Sequence, residues 1–465
     1  MTRTAFPGRY LAAFALSLAA CLSPAQALPD GAKLEPAVAG YLEPLLKTNN
    51  FSGVILVARG DRILFEKAYG YADIEQQVPN RPETLFQVAS VSKPFTAAAI
   101  LILAERGKID LKAPLTAILP DYPGGEKLTV HHLLTHSSGI PNINDFPEYA
   151  ELQRRPQGPA ELVELFKAKP LLFEPGSEFS YSNSNYNLLA LIIEKASGEP
   201  YGAFLQREIF SPLMLRGTGH RPPMSRIVRG LADGYAPEGA LGLQRADYLD
   251  WSTKTGNGSL YSDARGIFRF VRAVHHGKLL KPASITAAFT EQLPNVGYGW
   301  FLTKANNRKL HHINGRSPGW TAQVDYYPEE EVTVIVLSNL YISVTTPVAR
   351  SVAALYFGTP VEPMPQLSAE KPLPQAVAPL LGTYQFGPDY YVPNARIEIV
   401  SDNGHIAGRY VGLSYPPFGF VPTGKGKFLV RSFWMPAEFI SDETGRVTEL
   451  KLDRFGGKKV EAEGK

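Results

Sequence analysis

The sequence predicts an α/β fold: an antiparallel sheet flanked by helices, with a helical region between its strands, followed by a small all-β domain. Three observations carry this reading. Apolar strand-like runs gather at 51–70 and again across 296–339, with helical patterns between them. A Pro-rich stretch at 358–377 separates that unit from the rest of the chain and reads as a semi-rigid linker. Beyond it, residues 378–465 alternate short β-type runs with turn residues. Strands at both ends of a unit, with helices between, are expected to meet in one sheet built from the two ends of the domain.

Taken in order, "FSGVILVARGDRILFEKAYG" (51–70) is two apolar strands joined by a Gly-Asp turn, a hairpin. From Ser90 to Arg106 the pattern becomes helical and stops at Gly107, the residue a helix C-terminus favours. Residues 108–290 mix helices with loops rich in Pro and Gly. Four strands at hairpin spacing come next: "YGWFLTK", "KLHHING", "WTAQVDYYP" and "VTVIVLSN". The helical run "TPVARSVAALYF" closes the unit, placing the larger domain at 35–357. Past the linker, "ARIEIV", "HIAGRYV", "KFLVRSF" and "VTELKL" are separated by "SDNG" and "DETG" and similar turns.

A chain of 465 residues is long for one core and suits this division. Its 47 Lys and Arg nearly balance 44 Asp and Glu, so neither a basic stripe for nucleic acid nor an acidic solvating tail is indicated. The first residues read as an export signal: Arg3 and Arg9, the apolar "YLAAFALSLAACL", then Ala25-Gln26-Ala27. Two readings stand. Cleavage after Ala27 removes residues 1–27, or Cys21 in "LAAC", which resembles a bacterial lipobox, ends a lipoprotein signal 1–20 and attaches the chain to a membrane through a lipid. Either way the expected location is periplasmic or secreted. Cys21 is the single cysteine, so neither a disulfide framework nor a thiolate metal site is expected.

Ser90 and Lys93 form Ser-x-x-Lys. On a helix these positions share a face, and a lysine amine there can hold the serine oxygen and help remove its proton if burial depresses the amine's pKa. The pattern alone is weak; Ser368 to Lys371 repeats it inside the linker. Tyr181-Ser182-Asn183, just before an apolar helix, adds context. A tyrosine and an amide two residues apart can point into one cleft, the phenol shuttling protons when a nearby lysine lowers its pKa, the amide orienting a substrate carbonyl. His132 and His136 have the i, i+4 spacing of a zinc pair but lack the Glu of His-Glu-x-x-His, and "SSG" comes at once after them. His275-His276 and His311-His312 are adjacent pairs, poor ligand geometry. Neither GxxxxGK nor a strand-borne GxGxxG occurs. The expectation is no metal and no cofactor.

"FSGVILVARGDRILFEKAYGYAD", "TLFQVASVSKPFTAAAI", "LTVHHLLTHSSGIP" and "FEPGSEFSYSNSNYNLLALIIEKASG" together resemble the serine β-lactamase and penicillin-binding-protein family, most closely its class C branch with D,D-peptidases and esterases. The resemblance covers roughly residues 45–345. It implies a β-lactamase/D,D-peptidase-like sheet and helical region with the cleft between them. Ser90 becomes the acylated nucleophile at a helix N-terminus, Lys93 its activator, Tyr181 the general base and acid, and Asn183 a substrate contact.

The third family motif departs. Lys254-Thr255-Gly256 is a literal match, but it lies well before the closing strands and reads as a decoy. Register from Gly319-Trp320 places the motif at Ile313-Asn314-Gly315, with isoleucine where a cation or histidine is expected. Asn314, Gly315 and Arg316 are the expected substrate contacts here. His312, one residue early, faces the opposite side unless a bulge returns it, and Arg316 is the other candidate to restore the positive charge. The combined expectation is an exported serine hydrolase acting through an acyl-enzyme at Ser90 on a small-molecule or peptidoglycan-like ester, peptide or amide. β-Lactam hydrolysis, or a non-catalytic binding protein on the same fold, are the alternatives.

Overall fold

The computed structural model describes residues 31–460, apart from 222–223, 239–240, 343, 363, 366, 369–371, 414–416 and 425. The proposed export segment and Cys21 lie outside the described residues. Helix α1 (Gly31–Lys47) leads into strands β1 (Gly53–Arg59) and β2 (Arg62–Tyr69). Helix α2 (Lys93–Glu105) is followed by α3 (Val130–Leu134) and α4 (Asn183–Ser197), then a small hairpin of β3 (Tyr235–Glu238) and β4 (Gly242–Arg245). Helices α5 (Ala264–His275) and α6 (Pro282–Phe289) precede β5 (Phe301–Ala305), β6 (Arg308–Ser317), β7 (Trp320–Tyr327), β8 (Val332–Ser338) and helix α7 (Thr345–Phe357).

The main sheet has the order β5-β6-β7-β8-β1-β2, so β1 pairs with β8 and joins the two ends of the unit. Its central strands are apolar on both faces because both faces are covered. Along β1, Val54, Leu56 and Ala58 face the core shared with α2, α4 and α5, while Ile55 and Val57 face the core of α1 and α7. The two-residue alternation of one strand thus serves two cores. Helix α2 ends as its sequence suggests: Gly107 adopts φ 69°, and the Lys108 N–H returns to the Leu103 carbonyl at 3.0 Å. Its alanines also have a use. A Cβ added at Gly299, in the loop before β5, would lie 3.0 Å from the Ala97 methyl, so only small residues let that loop lie against α2.

The C-terminal strands close into an eight-stranded antiparallel barrel: β9 (Gly382–Gln385), β10 (Arg396–Asp402), β11 (His405–Tyr410), β12 (Phe418–Gly424), β13 (Lys427–Val430), β14 (Met435–Ser441), β15 (Val447–Leu452) and β16 (Phe455–Val460). Pairing of β9 with β16 removes the free edges that short strands would otherwise expose. Its interior is filled by Tyr384, Ile397, Ile399, Phe420 and Leu450 among others. Arg431, 0% exposed, pins the barrel to the α/β unit. Its Nε donates to Asn50 Oδ1 (2.6 Å), Nη1 to the Gly242 carbonyl (2.7 Å) and Nη2 to the Asn49 carbonyl (2.7 Å).

Candidate active site

Ser90 sits in a single 3-10 turn, Ala89–Ser92, that runs directly into α2. The turn is entered through Ala89 at φ 46°, a left-handed conformation that a residue with a Cβ adopts at some cost. Ser90 therefore lies one turn before the helix proper, partly exposed among buried neighbours. Lys93, the first residue of α2, turns back so that its Nζ and Ser90 Oγ share a hydrogen bond of 2.9 Å. Ser92 is occupied elsewhere, accepting the Leu260 N–H at 3.0 Å.

The Tyr181–Asn183 segment meets this turn from the other side. Tyr181 Oη and Ser90 Oγ are 2.9 Å apart. Lys93 Nζ also donates to Asn183 Oδ1 and to the Asn257 carbonyl, each at 2.9 Å. Asn183 thus holds the lysine with its oxygen, while its Nδ2 donates to Asn144 Oδ1 at 2.8 Å. These four residues, drawn from positions about 90 apart, converge as their motifs suggest.

Two participants escaped sequence reasoning. Asn257 acts through its backbone carbonyl, which no side-chain pattern reveals. It belongs to the loop holding Lys254-Thr255-Gly256, which lies away from β6 and instead runs beneath α2. Gly256 (φ 85°) would place a Cβ 2.1 Å from the Tyr186 carbonyl, and its own carbonyl accepts from Thr96 Oγ1 at 2.7 Å. The second is His136. It lies beyond the end of α3 at φ 55°, so the helical pairing with His132 does not form. Its ring packs 4.5 Å from that of Tyr181, and its Nδ1 accepts the Ser182 N–H at 3.2 Å. Burial, then the charge of Lys93, lowers its pKa to about 3, so it supports Tyr181 as a neutral ring. Histidines pair across elements instead: His275 Nε2 and His311 Nδ1 are 3.1 Å apart. Among the described residues no group of three metal-ligating side chains converges.

Burial sets the proton inventory. Lys93 is 1% exposed, and desolvation, aided by the charge of Lys254, lowers its pKa well below that of an ordinary lysine. Tyr181 moves the opposite way to the sequence expectation: burial raises its phenol to about 12, outweighing the hydrogen bond from Ser90. Burial thus favours the uncharged form of both groups, the amine and the phenol.

On β6 the pairing with β7 runs without a bulge from His311↔Tyr326 to Ser317↔Trp320. Alternation then decides every residue of the third motif. Ile313 and Gly315 face α2. A Cβ on Gly315 would fall 2.2 Å from the Val88 carbonyl and 3.1 Å from the Ser90 nitrogen, so glycine alone lets this strand abut the nucleophile's turn. Ile313 lines a gap with Lys93, Tyr181 and Trp300 of about 10 Å³, room for no more than about one water. Asn314 and Arg316 take the other face, which corrects the expectation that their side chains contact substrate beside Ser90, and with no bulge in the strand His312 stays on that face too. His312 lies towards Arg350 of α7, and Asn314 is exposed. Arg316 donates from Nη2 to the Ser432 carbonyl of the barrel at 2.7 Å, its guanidinium 4.1 Å from the Tyr341 ring. Neither restores the missing cation. Tyr298 and Trp300 are core residues, Tyr298 Oη meeting His131 Nδ1 at 2.8 Å.

Comparison with known proteins agrees with this geometry. A penicillin-binding protein of Bacillus subtilis (strain 168) is 27% identical over 425 residues, 86% of this chain and 92% of that protein. Esterase EstB of Burkholderia gladioli is 34% identical over 217 residues, 43% of this chain and 55% of its own length. The solved structure of an octameric penicillin-binding protein homologue from Pyrococcus abyssi superposes with a TM-score of 0.63 at 25% identity, covering 93% of this chain and all 100% of that one, barrel included. The profile of the family described as Beta-lactamase matches residues 38–355, more than half of the sequence. The chain belongs to the Beta-lactamase family and is a serine hydrolase of that family.

Proposed function

We propose that the chain hydrolyses esters, peptides or amides through a covalent acyl-enzyme on Ser90. The observation that carries this is Ser90 Oγ held at 2.9 Å by both Lys93 Nζ and Tyr181 Oη. In this reading the neutral Lys93 amine accepts the Ser90 proton as Oγ attacks the substrate carbonyl carbon. The resulting oxyanion is held by backbone N–H groups of Ser90 and of β6 near Arg316. On collapse the carbon–leaving-group bond breaks, and the proton passes from Lys93 through the Tyr181 phenol to the departing oxygen or nitrogen. Water then enters, gives its proton back along the same path, and releases acid and free Ser90. Asn183 and the Asn257 carbonyl keep Lys93 aimed.

Within this chemistry we place esters and peptides ahead of penicillins. Ile313 stands where a cation would meet the carboxylate of a penicillin, and the gap beside it is too small for that group. The esterase among the relatives supports this order. Export, by cleavage after Ala27 or by acylation of Cys21, belongs to the same proposal. The test is intact mass after exposure to an activated short-chain ester and, separately, a penicillin, with Ser90→Ala alongside. A serine-dependent acyl adduct or turnover with the ester supports the reading. Ester hydrolysis undiminished in Ser90→Ala, or efficient penicillin turnover, overturns the role of Ser90 or the substrate order respectively.

A further inference from the structure

One end of the barrel faces the α/β unit across a cavity of about 640 Å³, within the size range of small-molecule sites. Residues of the β9–β10, β13–β14 and β15–β16 connections, with Tyr410 and Phe418, form one side, the β3 strand and Tyr341 the other. Its wall is largely aromatic, with Tyr341 from the α/β unit and Tyr390, Tyr410, Phe418, Phe433 and Trp434 from the barrel. Among the described residues the one cation lining it is Arg316.

Two arginines at this seam, Arg431 fully buried and Arg316 half-buried, are used differently. Arg431 places Nε and both terminal nitrogens on protein oxygens. Arg316 places Nη2 on the Ser432 carbonyl, and its Nε is buried without an acceptor among the described residues. Among those residues no carboxylate lies in ion-pair contact with it; Asp453 stands at the exposed rim, where it accepts from Tyr391 Oη at 3.4 Å. A desolvated guanidinium without a counter-charge is costly unless something supplies one. The planar fork of arginine fits a carboxylate, and the rings around it fit an apolar body attached to that carboxylate.

We propose that this seam cavity is a binding site for a small carboxylate carried on an aromatic or similarly bulky apolar group, with Arg316 anchoring the carboxylate. The site is distinct from the Ser90 centre, since alternation along β6 puts Arg316 and Gly315 on opposite faces. It touches that centre only through the strand, because Gly315 abuts the Ser90 turn.

The test is calorimetric titration of the full chain with 1-naphthoate and, as the uncharged match, 1-naphthamide, repeated on Ser90→Ala and Arg316→Met. Naphthoate is expected to bind wild type and Ser90→Ala alike, with naphthamide weaker by roughly tenfold or more, the worth of a charge-assisted hydrogen bond. Arg316→Met, with its fold checked by circular dichroism, should abolish that difference. Equal affinity for the two probes, no binding of either, or full naphthoate binding by folded Arg316→Met overturns the site. If Arg316→Met does not fold, the comparison of the two probes on wild type decides alone. Inhibition kinetics then separate the source of the carboxylate: naphthoate competing only with esters that bear a carboxylate makes it the substrate's own tail, and effects on neutral esters make it a separate effector. A chain that binds naphthoate yet hydrolyses no ester would break the functional proposal and leave this site standing.

Discussion

Lys93 and Arg431 are both buried basic side chains set among neutral oxygen atoms: Ser90 Oγ, Asn183 Oδ1 and the Asn257 carbonyl lie within hydrogen-bond distance of the lysine nitrogen, and the arginine donates to Asn50 Oδ1 and the Asn49 and Gly242 carbonyls. Burial lowers the pKa of both, Lys93 well below its usual value and Arg431 to about 10. The outcome differs because burial draws lysine towards its neutral amine, whereas a guanidinium whose pKa stays near 10 keeps its proton. The same kind of environment yields a base at the Ser90 turn and a permanent clamp at the barrel seam.

The sharpest way to break that comparison is to put the clamp's chemistry in the base's place. Lys93→Arg keeps N–H donors but holds its proton permanently and so removes the lone pair. It should lower kcat/KM for an activated ester by about 10²–10⁴-fold, the range for loss of a general base. Retention of more than a tenth of the activity would show that Lys93 works only as a charge. In the wild type, kcat/KM should rise with pH through the lowered Lys93 pKa and fall as Tyr181 ionises towards about 12.

The converse change, Arg431→Met, strips three oxygens of their donors without touching the site. At about 1 kcal/mol or more per orphaned buried acceptor, a loss of roughly 3 kcal/mol is expected in urea unfolding, with activity per folded molecule nearly intact. A parallel collapse of kcat would mean that the barrel's seating shapes the Ser90 centre directly.

His136 offers the finest test, because it is a second buried base beside the Ser90 site. Its folded pKa of about 3 lies below the ordinary 6.5, so the unfolded chain binds more protons between those values. Its contribution is fully present above pH 6.5 and is lost as pH falls towards 3, at up to about 1.4 kcal/mol per pH unit. His136→Phe should flatten the acid side of the stability curve by about that slope between roughly pH 6 and 4. An unchanged slope would show that other groups carry the acid response.

Much of this was legible in the residues. The apolar runs at 53–69 and 301–338 became adjacent strands because strand alternation and turn residues are local signals. Ser90, Lys93, Tyr181 and Asn183 stood out because Ser-x-x-Lys fixes two groups one helical turn apart, and Tyr-x-Asn beside a helix start narrows the rest. The absence of a cation at Ile313 came from counting along one strand. What stayed hidden was non-local. The Lys254–Asn257 loop meets Lys93 through a carbonyl from 164 residues away. His136 shows in the sequence only as half of a pair with zinc-ligand spacing that lacks its Glu, so its place beside Tyr181 is not visible there, and Arg316 reads as a substrate contact until the face it occupies is known.

The sequence by itself determined which groups exist and how neighbours along one element are spaced: a serine and a lysine on one turn, an isoleucine in place of a cation, glycine where β6 must pass close. Tertiary structure alone decided the charge those groups carry and the direction they face. Proton affinity depends on the water removed around a group and on partners brought from distant segments, and neither quantity is written in the local order of residues.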